Sequence, residues 1–114
     1  MTALSPDVVE FAAAHLHTVH DLQILVMCTD HPERWWDAVA VARHLRITRS
    51  GARRALDRLA RANLLDIRIT GDVRYQFKPG SSTLEQAALA CAAAYRVAPA
   101  EVAELVSGVR RHAT

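Results

Sequence analysis

At 114 residues and 12.6 kDa, with 51 % hydrophobic and 23 % charged residues, the chain has the length and composition of one globular domain with a modest core. Its formal net charge of +2 hides a division, because residues 43–78 hold ten Lys and Arg against three acids while the remainder holds four against nine. A stretch so basic suits a polyanionic partner, and a membrane span is excluded because no apolar run approaches ~18–20 residues.

Ser5-Pro6-Asp7 reads as N-cap, first-turn proline and first-turn acid, which opens a helix over 5–16 with Val8, Phe11, Ala12 and His15 along one side. Thr18 followed by Asp21 is a capping signal with an acid where Glu or Gln is usual. It predicts a second helix that turns Leu22, Leu25, Val26 and Thr29 inward and stops before His31-Pro32. "DHPERWW" is expected as a loop, and Asp37 as the N-cap of a short helix, "AVAVARHL", with Trp36 and Val41 in hydrophobic-staple positions.

After the turn "RIT", Thr48 or Ser50 caps a fourth helix that runs over 49–63. At about 100° per residue, Ala52, Ala55, Leu56 and Leu59 form one stripe. Ser50, Arg54, Asp57, Arg58 and Arg61 lie about 140° to 240° away from it. From Leu65 the period becomes two: Leu65, Ile67 and Ile69, then Val73, Tyr75 and Phe77, with Gly71-Asp72 as a two-residue hairpin signal across 65–78. Ser82 or Thr83 caps an alanine-rich helix that spaces Leu84, Ala88, Cys91 and Tyr95. A last segment places Val102, Leu105, Val106 and Val109 at helical spacing, so that helices occupy 82–110.

This order predicts a mainly α chain with a β-hairpin wing: a winged helix-turn-helix domain over 1–114, with its core at 18–79 and extra N- and C-terminal helices. A helix packed by one face projects the other, and an α-helix fits the major groove of B-DNA, where arginine donates bidentately to guanine. The expected contacts to bases are Ser50, Arg53, Arg54, Asp57 and Arg58. Arg49, Arg61, Arg68 and Arg74 are expected on the backbone, with Arg46 adding charge beside them. Asp57 either accepts from cytosine or pairs with Arg53, Arg54, Arg58 or Arg61.

The stretch "WWDAVAVARHLRITRSGARRALDRLARANLLDIRITGDVRYQF" resembles the winged helix-turn-helix core of MarR-like bacterial transcriptional regulators. The resemblance lies in an "A..VA..L" helix, a short turn, "A..AL..L....LL" and a wing that ends in an aromatic-rich strand. More narrowly, "TVHDLQIL", "HPERWW" and "LEQAALACAAAYRV" resemble segments of small stand-alone winged-helix proteins, so the likeness covers about residues 18–107. It implies the fold and DNA binding, and names neither target nor effector. The chain departs from the common Leu-Gly-Val-Ser turn at Leu45-Arg46-Ile47-Thr48, and it has Asn63 where glycine is common. Arg46 must therefore adopt a conformation that glycine accepts more easily, whereas asparagine tolerates the left-handed position well.

The partners expected are double-stranded DNA and a second copy of the chain, with Leu84, Ala88, Cys91, Tyr95, Val102, Leu105 and Val106 as the candidate dimer or partner surface. The alternative is an adaptor whose arginine face binds an acidic protein of the transcription machinery. No cofactor, metal or membrane is expected. His15, His17 and His20 beside Asp21 suggest surface or interhelical histidines before a metal set. Cys28 and Cys91, with no CxxC spacing and no basic neighbour, suit buried thiols in a reducing cytoplasm before a redox switch. Trp35 and Trp36 are expected as a surface contact and a staple before a ligand pocket. A leader is not expected in "MTALSPDVVEF", and no phosphate loop, nucleophile motif or paired carboxylate suggests an enzyme.

Overall fold

The computed structural model describes residues 4–112, with side chains through Gly108. Six helices and one antiparallel hairpin follow in chain order: α1 (Pro6–His15), α2 (Val19–Asp30), α3 (Ala38–Leu45), α4 (Arg49–Arg61), β1 (Leu65–Ile69), β2 (Val73–Phe77), α5 (Ser82–Val97) and α6 (Pro99–His112). Among the described residues no helix is long and apolar enough to cross a membrane. Val109, expected on the inner side of the last helix, lies outside the described side chains.

The helix starts follow from their caps. Ser5, Thr18, Asp37, Thr48 and Ser81 each accept a backbone N–H three residues on, which satisfies one of the donors a helix leaves free at its N-terminus. Thr48, not Ser50, caps α4. The Thr18 box closes one residue early: Asp21 donates its N–H to Thr18, but its carboxylate accepts the N–H of His17.

Helix α2 is the centre of the packing. The inward side expected from Leu22, Leu25 and Val26 is too narrow, because Ile24, Met27 and Cys28 are buried as well, while Thr29 is only half-buried. A helix apolar nearly all round is one enclosed by its neighbours, and α2 packs against α4, α5, α6 and β2. Cys28 and Cys91 are free and buried, and burial pushes their thiols up to about 12 and about 11.

Two local expectations are corrected. Trp36 lies in no simple loop: it exchanges both backbone hydrogen bonds with Tyr75, at 2.7 and 2.8 Å, and so adds a one-residue third strand beside β2. The hairpin connection has three residues, Thr70 to Asp72, because Ile69 pairs with Val73, and Gly71 takes a φ of 102° that glycine accepts without strain.

The expected dimer surface is corrected too. Ala88, Cys91, Val102 and Val106 are fully buried within the protomer, and Leu84, Tyr95 and Leu105 are half-buried against the same core. Helical spacing is the same for a face that meets its own chain and one that meets a partner, and here α5 and α6 close over α1 and α2.

Candidate nucleic-acid interface

Helices α3 and α4 form a pair joined by a tight turn, and each ends on a left-handed residue. Arg46 has φ 58° and Asn63 φ 68°, and the N–H after each reaches back five residues, Ile47 to Ala42 and Leu64 to Leu59, both at 3.0 Å. These are Schellman closures, normally built on glycine. An arginine in this place carries backbone strain and projects a cation beside the start of α4.

Four side chains of α4 are buried: Ala52, Ala55, Leu56 and Leu59, the stripe expected from the sequence. They fix its rotation against α2 and α3. Arg49, Ser50, Arg53, Arg54 and Arg61 are consequently exposed, as is Arg46 before them. Among the described residues none of these five arginines enters an ion pair.

The other two charged residues of α4 go elsewhere. Arg58, expected among the bases, folds back on Asp21 of α2, its Nη2 at 2.7 Å from Oδ1 and its Nε at 3.2 Å from both oxygens. Asp21 is fully buried and also accepts the His17 N–H and the Thr18 hydroxyl, each at 3.0 Å. The hydrogen bond to Asp21 holds the Arg58 guanidinium above its ordinary value, against an opposing effect of burial. This pair ties α4 to α2.

Asp57 was open to pairing with any of four arginines. It accepts the Tyr75 hydroxyl at 2.6 Å instead. Burial, then the bond to Asp57, pushes the Tyr75 phenol up to about 12, with Arg53 pulling the other way. The single acid of α4 is thereby turned toward β2, and it lines a cleft of about 530 Å³ between α4 and β1 with Ala60, Arg61, Leu65, Asp66 and Ile67.

On the hairpin, Arg68 and Arg74 are cross-strand neighbours and exposed. Arg74 pairs with Asp72 at 3.2 Å, and the Arg68 guanidinium lies 5.6 Å from the Trp35 ring centre. Arg34 stacks over Trp36 at 3.9 Å.

The histidines of the first two helices do not gather. His15 stacks on Phe11 at 5.0 Å, and among the described residues no three His, Cys, Asp or Glu side chains are grouped as a metal set. Asp21 and Tyr75 shape this surface, and neither is among the contact residues expected from the sequence. The signal for Asp21 was its place in a capping box beside a buried helix; Tyr75 had only its alternation along a strand.

No family model matches this chain, and no curated protein or solved structure does.

Proposed function

We propose that the chain is a winged helix-turn-helix protein that binds double-stranded DNA and regulates transcription. Helices α3 and α4 are the helix-turn-helix pair, α4 lies in the major groove, and β1 and β2 are the wing. The observation that carries this is the outer surface of α4, which exposes Arg49, Arg53, Arg54 and Arg61 while its one acid bonds to Tyr75. A row of exposed arginines that enters no ion pair among the described residues is available to phosphates and to guanine edges. Arg58 leaves the set of base contacts, since withdrawing it would strand a buried carboxylate.

The proposal extends to a homodimer that presents two α4 helices about 34 Å apart, one duplex turn. Its seam must use side chains that the protomer leaves exposed, among them Val9 on α1 and Leu89 and Val97 on α5.

The test is affinity for a duplex of mixed sequence, measured against salt. Backbone neutralisation gives a steep loss between ~50 and 200 mM. Absence of binding at the low end would overturn the proposal and favour an acidic protein as the partner of the arginine face.

A further inference from the structure

We propose that the hairpin meets DNA with an apolar tip: Ile69, backed by Ile67, wedges between base pairs in the minor groove beside the segment that α4 occupies. This rests on the DNA-binding proposal above and deepens it.

The register divides the hairpin into two unlike faces. Leu65, Ile67 and Ile69 pair with Phe77, Tyr75 and Val73 on one face, and Asp66 and Arg68 pair with Gln76 and Arg74 on the other. The apolar face is the one turned toward α4, since Leu65, Tyr75 and Phe77 are buried on it and the Tyr75 hydroxyl reaches Asp57. Toward the tip that face runs out of core. Ile67 is 43 % exposed and Ile69 74 %.

The wing's arginines do not lie on that side. Both are on the opposite face, Arg74 held by Asp72 and Arg68 over Trp35. The Arg74–Asp72 pair also neutralises the one acid at the tip, so the tip approaches a polyanion without repulsion. The five exposed arginines at the start and along the outer surface of α4 supply the attraction next to it.

Addition of a further strand at the open edge of β1 fits less well. Tyr75 spends its backbone N–H and C=O on Trp36, so Ile67, opposite it, points its own N–H to the free edge. Asp66 Oδ1 already takes that N–H at 3.0 Å. The edge is blunted, and exposed isoleucine side chains remain. Apolar wedges of this kind unstack one base step and kink the duplex, most cheaply at TA steps.

The experiment uses the full chain and a labelled duplex of about 30 base pairs, with 2-aminopurine beside a TA step. Wild-type protein should raise the 2-aminopurine fluorescence on binding. Ile69→Ala should abolish that rise and weaken binding about tenfold with the salt slope unchanged. Arg54→Ala should keep the rise and flatten the slope. Thermal melts confirm folding, which a substitution at the exposed tip leaves intact.

Equal duplex affinity of wild type and Ile69→Ala, or wild-type binding without any fluorescence rise, overturns the wedge and leaves the α4 proposal standing. Wild-type protein that binds no duplex at low salt overturns both. An Ile69→Ala effect on self-association in sedimentation, with the fluorescence rise retained, assigns the tip to a second copy of the chain and also overturns the wedge.

Discussion

The Tyr75 hydroxyl donates to the Asp57 carboxylate at 2.6 Å, and this one bond turns the only acid of α4 toward β2. A strand residue buried to 1 % exposure holds the only acid of a helix whose other charges are all arginine. Tyr75→Phe keeps the ring and removes the bond. Urea unfolding should show a loss of about 1–2 kcal/mol, and duplex affinity should fall about fivefold as the released carboxylate swings toward Arg53 and Arg54. Unchanged stability would mean that the bond is not formed in solution.

Arg58 and Arg54 stand four residues apart on α4 and should respond in opposite ways. Arg58→Ala leaves Asp21 buried with only the His17 N–H and the Thr18 hydroxyl, and should cost about 3 kcal/mol. Arg54→Ala should change stability by less than about 0.5 kcal/mol and act on DNA binding. A double-mutant cycle between Arg58 and Asp21 should return a large coupling, and a coupling near zero would remove the tie between α4 and α2.

At Arg46 stability and binding are opposed. Its left-handed backbone costs about 1 kcal/mol relative to glycine, so Arg46→Gly should raise the denaturation midpoint and lower duplex affinity through the lost cation. A variant that gains stability without losing affinity would take Arg46 out of the interface.

Alkaline pH should destabilise the fold across a defined window. Tyr75, whose phenol is raised from 10.0 to about 12, holds its proton more tightly when folded, so its contribution is whole below pH 10.0 and lost toward pH 12. Cys28 and Cys91 act in the same direction, raised from 9.0 to about 12 and about 11. The urea midpoint should therefore fall steadily from pH 9 to 12. A flat profile across that window would contradict the burial of all three groups.

Much of the fold was legible where a local rule acts alone. The caps at Ser5, Thr18 and Asp37 and the Ala52–Leu59 stripe follow from neighbouring residues, the left-handed Arg46 and Asn63 from the turns that the winged-helix resemblance implies, and the structure contains each of them. The Trp36–Tyr75 pairing was not legible, because a single bridged residue has no periodicity to betray it. The partners of Asp57 and Arg58 were hidden for another reason. Both sit at the borders of the charged arc, where a helical wheel gives direction but not what stands beyond it, and the deciding residues, Tyr75 and Asp21, are 18 and 37 positions away. Ala88, Cys91, Val102 and Val106 show a third limit, since amphipathic spacing does not distinguish a core from a seam between copies.

The proposal that α4 meets DNA through its acid-free outer surface is tested most directly by the salt dependence of duplex binding in Arg54→Ala/Arg61→Ala, beside wild type. Each phosphate contact contributes about 0.9 to the slope of log affinity against log salt. The double variant should bind more weakly at ~50 mM salt, with a slope shallower by about two. A wild-type slope retained in the double variant, at unchanged affinity, would contradict the assignment of this surface to nucleic acid.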